Sequence, residues 1–382
     1  MKTTKIQLLL KKPITAITLS ILIGFLIGGV ILTLAGFDPF RAYLALFNGI
    51  FSKPKYISQV IIKSTPLILT GLSVAFAFKT GLFNIGAEGQ YIIGTIVAVL
   101  TGLFLNLPPV IHFFVVIIIA SLAAGVWGGI IGLLKAKFGI NEVITSIMFN
   151  WIAFYLNNYM VSLPWLRKPG ADSSFPIKES AWNVVLNSYK TSESGRKALQ
   201  NSSSPISEML LKTDMNYGIL IAILICLLIF ILLKYTKLGF EFRAVGANKD
   251  TSEFVGINIK KNIILSMFVS GAIAGIAGAL QITGTMPHRI GLLSAQEGYG
   301  FDGMSVALIA CSSPIGCIFS GLFLGALKYG GGAIQSQVGA PSEIINIVIG
   351  VIMFIVAMSS VFKIISGYIS KKNKIKFIKI KN

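Results

Sequence analysis

The sequence predicts an all-α polytopic membrane protein, with about ten membrane segments in two inverted five-helix halves and one segment broken or re-entrant near Pro314. Three observations carry that expectation. The 382 residues are 54% hydrophobic and only 12% charged, with a mean hydropathy of +0.80, whereas a soluble domain keeps roughly a quarter of its residues charged. The charges cluster, leaving uncharged stretches near the length of about 20 residues that crosses a bilayer. Two stretches that begin at Glu88 and Glu297 echo each other, five segments apart.

Along the chain, Lys2, Lys5, Lys11 and Lys12 precede the first apolar run, Ile14–Gly36. That run is too long for a signal peptide and no small-x-small cleavage site follows it, so it reads as the first span. Further spans read as Ile57–Phe78, Gly86–Leu107, Val110–Leu134 and Val143–Leu163, completing a first half over 14–163. Lys63 intrudes on the second and can snorkel outward. A segment rich in Ser, Asn and Pro, 164–215, is expected outside, as a small cap or an ordered loop. The second half, 216–366, holds Asn216–Leu233, Asn262–Gly284, a stretch over 301–330 broken at Ser312-Ser313-Pro314 into two short pieces, and Ile344–Phe362. The basic remainder, 367–382, is expected in the cytoplasm with residues 1–13.

Positive charge orients this arrangement, because short cytoplasmic loops collect Lys and Arg. Outside the long 164–217 segment, the proposed cytoplasmic side holds 20 of them and the external side 5. The net charge of +19 lies next to apolar runs and forms no basic stripe with interleaved aromatics, so nucleic acid is not an expected partner. The lipid bilayer is.

Within segment 234–261, Asp250-Thr251-Ser252-Glu253 reads as a helix start and Gly256 as its end. The short helix would present Phe254, Val255 and Ile257, apolar knobs with no lipid to meet. Four glycine pairs spaced by four, at Gly125, Gly128, Gly271 and Gly321, predict closely packed helices. The echo aligns Glu88, Gly89, Gly94, Val97 and Ala98 with Glu297, Gly298, Gly303, Val306 and Ala307. An odd number of segments between copies inverts the second one, which is a transporter architecture with its path near the interface of the halves.

Several chemistries are excluded. No Gly precedes a Lys-Ser or Lys-Thr, so a phosphate loop is missing and the chain cannot be its own ATPase. Protease and hydrolase motifs are absent. Cys226, Cys311, Cys317, His112 and His288 form no spacing that suggests a metal site. The expectation is therefore a transport subunit, neither enzyme nor metalloprotein, with no cofactor of its own. Glu88, Glu297 and Asp302 are expected at the rims of their segments, which argues against an ion-coupled carrier. Neutral amides suit a small polar solute. Asn150, flanked by Phe149 and Trp151 on which a ring could stack, leads the candidates for the solute path. Asn157 and Gln281 follow, with Asp302, Met304 and Ser305 on the broken segment.

The residues also carry a family resemblance. Thr65 to Gln90, ending in Gly86-Ala87-Glu88-Gly89-Gln90, resembles the signature of ABC importer permeases of the branched-chain amino acid/ribose/nucleoside class. Asn141-Glu142-Val143-Ile144 through Asn150 is similar to a segment of the nucleoside and simple-sugar branch. Arg243-Ala244-Val245-Gly246-Ala247-Asn248 through Gly256-Ile257 resembles the family's cytoplasmic loop, and Phe301 to Leu308 with Pro314-Ile315-Gly316 resembles another block. Ala310-Cys311-Ser312-Ser313 departs from the family, which more often has glycine and polar or basic residues there.

The resemblance implies a nucleoside permease in the bacterial cell (inner) membrane, closest to the larger permease of a guanosine-type system, with simple sugars or branched-chain amino acids as the alternative cargo. It also implies a second related permease, a cytoplasmic ATP-binding cassette ATPase holding ATP and Mg, and an external substrate-binding lipoprotein. Arg243, Gly246, Asn248, Glu253, Phe254, Val255, Gly256 and Ile257 would then form the ATPase-coupling surface. Gly86, Glu88, Gly89, Gln90, Asn141, Glu142 and Pro314 would be structural.

Overall fold

Proline and small capping side chains set most of the helix starts. The computed structural model describes residues 13–202 and 204–358. Its helices are α1 Pro13–Leu34, α2 Pro39–Phe51, α3 Pro54–Lys79, α4 Ala87–Phe104, α5 Ile111–Phe138 and α6 Glu142–Ser162. A short 3-10 turn, Glu179–Ala181, precedes α7 Asn187–Thr191, α8 Glu193–Asn201 and α9 Pro205–Lys212. Then come α10 Gly218–Tyr235, α11 Lys237–Ala247, α12 Lys249–Phe254, α13 Ile259–Gly284, α14 Tyr299–Ile309, α15 Pro314–Val338 and α16 Ser342–Ala357. Five of these begin on proline, whose missing N–H costs nothing at a first helical position. Asp38, Asn141, Ser192, Ser204, Thr236, Asn248 and Asn258 each accept a backbone N–H at the helix they precede.

Among the described residues, no strand forms and seven helices are long and apolar enough to cross a membrane: α1, α3, α4, α5, α10, α13 and α15. This is fewer than the ten expected segments, and the shortfall has local causes. The 21-residue α6 is diluted by Asn150, Asn157 and Asn158. The 11-residue α14 is too short, and α16 has only 16 described residues.

One further expectation changes, and one helix is added that no expectation covered. The stretch after the first span is a helix, α2, started by Asp38 and Pro39. The break at Pro314 leaves one short and one long piece: Cys311 and Ser312 turn with φ of 49 and 54, and α15 then runs unbroken for 25 residues. The expectations for residues 1–12, for the basic tail and for the end of the last span fall outside the described residues.

The chain divides into two compact units, Lys53–Ala326 and Met1–Ser52 with Leu327–Asn382. In the larger unit, α3 is the most enclosed of the spanning helices, with α4 and α13 also mostly buried and α5 and α10 open on one side. The expected glycine pairs supply the close contact between α5 and α13: a Cβ at Gly128 would fall on the Met267 carbonyl, and one at Gly271 on the Ala124 carbonyl. Gly321 and Gly325 lie against Ile68 and Ser64 of α3 in the same way. In the smaller unit α1 packs on α16, with Gly24 against Ile352, and Tyr43 of α2 donates to the Phe25 carbonyl at 2.5 Å.

The described part of the segment between α6 and α10 is fastened to one end of the larger unit. Ile177 N donates to His288 O at 2.9 Å, Asn183 N to Thr283 O at 3.0 Å, and Lys178 N to Gly102 O at 3.0 Å. His112 Nδ1 lies 2.7 Å from Ser180 Oγ. At the opposite end, α11 packs on the turn after α3, with α12 following it: Gly246 touches the Lys79 carbonyl so closely that a Cβ would clash.

Candidate functional site

Two helices of the larger unit begin inside it, and their first turns meet. After Lys79 the chain doubles back, so that Asn84 Nδ2 reaches Ser73 Oγ at 3.3 Å, six residues or about 9 Å up α3. The α4 helix starts there. On the other side, the loop after α13 descends along α6 and α14 starts beside α4. A helix start leaves backbone N–H groups without intrahelical partners, and away from water each must be satisfied internally.

Side chains from neighbouring helices supply the acceptors. Glu88, fully buried, accepts from Gly298 N at 2.7 Å and from Gly300 N at 2.6 Å, one on each carboxylate oxygen. Gly300 must be glycine for this, because a Cβ would fall on the Glu88 backbone. Asn150 does the same for α4: its Oδ1 accepts from Gly89 N at 2.8 Å and its Nδ2 donates to Ile85 O at 3.1 Å. Tyr91 Oη donates to Glu297 Oε2 at 3.0 Å, and its ring lies 5.2 Å from Tyr299. Thr70 Oγ1 lies 2.9 Å from Tyr299 O and donates there or to Pro66 O at the same distance.

The descending loop is held by the rest of α6. Asn157 Nδ2 donates to Gly291 O at 2.9 Å. Asn158 pairs with Leu293 twice, donating to its O at 2.9 Å and accepting from its N at 2.8 Å. The amides that dilute α6 as a membrane helix thus satisfy the start of α4 and the loop that leads to α14, while Glu88 satisfies the start of α14 itself. Beneath the junction, Asn84, Gln90, Ser73 and Ser270 form a closed network, with Asn84 Nδ2 2.8 Å from Gln90 Oε1 and 2.6 Å from Ser270 Oγ.

Glu88 corrects the expectation that the acids sit at the rims. It is an interior residue, because α4 starts inside the unit and not at its edge. Glu297 is exposed, and Asp302 is half-buried.

The other expected path residues are distributed as follows. Met304 and Ser305 are half-buried on α14, one turn from Glu88's partner Gly300. Phe149 packs on Trp127 with ring centroids 5.1 Å apart, while Trp151 is exposed and pairs with Phe154 and Tyr155. Gln281 lies on α13 one turn beyond Gly278, which packs on Tyr91 and Gly94, and is not part of the junction. Of the structural residues, Asn141 caps α6 at Val143 N, Glu142 pairs with Lys135 at 2.7 Å, and Pro314 opens α15. Thr70, Tyr91 and Tyr299 were not singled out from sequence. The echo of Glu88 and Glu297 was the one signal pointing to their meeting place.

The expected coupling residues lie together at the α11–α12 end. The start of α12 is Asn248, which accepts from Thr251 N at 3.0 Å, two residues before the expected Asp250. Gly256, at φ 83, ends it. Phe254 is 93% exposed and Val255 65%. Glu253 and Arg243 are exposed and Ile257 is half-buried, with Arg243 Nε donating to Gly239 O at 3.3 Å.

At the cap end, His288 is buried, stacks on Trp182 at 4.2 Å and directs Nδ1 to Ile282 O at 2.8 Å. Burial lowers its pKa from the usual 6.5, against the raising influence of the Ile282 carbonyl and Asp214. Among the described residues no group of His, Cys, Asp and Glu could hold a metal ion.

The chain is 37% identical over 357 residues to the guanosine ABC transporter permease protein NupP of Bacillus subtilis (strain 168), covering 93% of this chain and 96% of that one. It is 34% identical over 350 residues to the nucleoside ABC transporter permease protein NupB of Lactococcus lactis subsp. cremoris (strain MG1363), covering 91% of each. The glucose ABC transporter permease protein TsgB13 of Haloferax volcanii is 28% identical over 346 residues, covering 90% of this chain and 87% of that one. No solved structure matches. Residues 56–357 match the family described as branched-chain amino acid transport system / permease component. With seven apolar helices, and with one of these (α4) and the short α14 starting inside the fold on borrowed acceptors, this multi-pass membrane protein belongs to that permease family.

Proposed function

We propose that the chain is a transmembrane permease subunit of an ABC importer and that it carries nucleosides into the cell. The observation that carries this reading is the 37% identity to a guanosine permease over 93% of the chain. The junction at Glu88 supports a transport role, since interrupted helices meeting in the interior characterise solute paths. The path then runs past α14, with Asp302, Met304 and Ser305 facing it, while Asn150 and Asn157 hold the backbone that shapes it. Phe149, Trp151 and Gln281 complete the proposed lining. In this reading α6, α14 and α16 join the seven longer helices as membrane segments, giving ten in two inverted halves.

The α11–α12 end faces the cytoplasm, as the distribution of Lys and Arg supports, and the cap over 164–217 faces outward. ATP and Mg are held by a separate ATPase that docks on α12. A second permease completes the channel, and an external binding lipoprotein delivers the solute. With Glu88 interior, the position of the acids no longer argues against an ion-coupled carrier; family membership does.

Simple sugars are the second reading, favoured by the glucose permease relative at 28% identity. Whole-cell uptake of labelled guanosine, with unlabelled nucleosides, glucose, ribose and leucine as competitors, separates the cargoes. Nucleosides alone should compete. Competition by a sugar or by leucine, or uptake unaffected by deletion of this chain, would overturn the reading.

A further inference from the structure

The outer surface of α13 carries a groove that the transport path does not use. It is open, about 560 Å³, and lined by Asn258, Lys260, Lys261, Ile264, Leu265 and Phe268. The chemistry changes along it. Ile264, Leu265 and Phe268 are half-buried and leave an apolar floor, deepened where Phe268 lies over Gly125 and Gly129 of α5. At the mouth, Lys260 and Lys261 are exposed, and among the described residues neither is ion-paired to a carboxylate. The mouth is also the first turn of a 26-residue helix, where backbone N–H groups and the helix dipole favour an anion. Asn258 Oδ1 accepts there from Lys261 N at 2.9 Å, while on the buried side of the same turn Asn262 Nδ2 donates to Glu241 Oε2 at 3.1 Å and to Asn258 O at 2.9 Å.

An apolar trough topped by two cations and a helix start is complementary to one class of ligand. We propose that this groove binds an anionic glycerophospholipid, with its phosphate at Lys260 and Lys261 and its first acyl methylenes along Ile264, Leu265 and Phe268. The site rests on the proposed orientation, in which this end of α13 meets the cytoplasmic leaflet, where anionic lipids attract basic residues close to the membrane. A bound lipid would steady the α12–α13 connection beside the coupling helix.

The test does not depend on transport. The full chain, purified in detergent, is exposed to equimolar phosphatidylglycerol and phosphatidylcholine, and retained lipid is read by native mass spectrometry. Phosphatidylglycerol adducts should dominate. The Lys260→Gln/Lys261→Gln variant should lose them by about 30-fold, two lysines at roughly fivefold each, with phosphatidylcholine adducts unchanged. Leu265→Trp, which fills the floor and keeps both charges, should reduce both lipids. A Lys234→Gln/Lys237→Gln variant controls for general charge and should retain wild-type preference.

Equal retention of the two lipids, or phosphatidylglycerol adducts that survive both groove variants, would overturn the proposal. Displacement by free glycerol phosphate or inorganic phosphate alone would assign the lysines to a soluble anion. Loss of the adducts on assembly with the ATPase would assign the groove to a protein partner. A chain that binds the lipid but fails in guanosine uptake would leave this site standing and refute the cargo instead.

Discussion

Replacing Glu88 by leucine, a side chain of similar size without acceptor atoms, should detach the start of α14. The carboxylate satisfies two backbone donors, Gly298 N at 2.7 Å and Gly300 N at 2.6 Å. Charge-assisted hydrogen bonds contribute about 1.5–3 kcal/mol each, and a buried donor left alone costs about 1–3 kcal/mol. Removing the buried carboxylate also removes its own desolvation cost, so the net loss is about 3–5 kcal/mol. That is a large share of the roughly 5–15 kcal/mol that stabilises a typical fold. Glutamine keeps one acceptor oxygen and should lose about half as much.

Tyr91 and Thr70 would still hold Glu297 and Tyr299, so the expected outcome is local opening. Hydrogen–deuterium exchange of the segment 297–309 in lipid nanodiscs is the assay. Glu88→Leu should speed exchange there by on the order of a hundredfold or more, since each 1.4 kcal/mol is tenfold. Exchange in α5 should hardly change, and uptake should fall steeply. Wild-type exchange over 297–309 together with normal uptake would falsify the junction as the element that positions α14.

Single cysteines at Asn201 and Thr251 in a cysteine-free background should differ in labelling by an impermeant maleimide, Asn201→Cys reacting in intact cells and Thr251→Cys only after lysis. Equal labelling would reverse or dissolve the proposed orientation. Phe254→Asp should release the ATPase or uncouple hydrolysis from uptake, because the 93% exposed ring offers an apolar knob that a soluble surface would not otherwise keep. Normal co-purification with normal transport would move the coupling contact elsewhere. His288 has a folded pKa below its usual 6.5, so its contribution to stability is complete above that value and is lost as pH falls toward the folded pKa. Thermal unfolding should therefore show the cap weakening below about pH 6.5, and His288→Gln should flatten that dependence; an unchanged profile would show that the buried imidazole does not matter.

The sequence by itself determined what depends on local composition. Apolar length placed most of the spans, Gly256 marked the end of α12, and four glycine pairs identified faces that pack closely. The start of α12 was missed by two residues, because Asn248 and Asp250 can both cap and only the fold decides which does. The helix α2 was equally signalled by Asp38-Pro39, but lay between spans where apolar length says nothing.

What only the tertiary structure decided is how the interruptions are satisfied. Sequence could mark Pro314 as a break and could notice that Glu88 echoes Glu297. It could not show that the first of these acids accepts the N–H groups just after the second. Those partners are separated by about two hundred residues, and neither has a local pattern that depends on the other. The amides of α6 illustrate the same limit: Asn150, Asn157 and Asn158 read equally as solute contacts or helix contacts, and their partners prove to be backbone groups of two other segments. A buried hydrogen bond is specified by where the chain folds back, and a helix that starts inside a membrane protein borrows its acceptors from whatever the fold brings beside it.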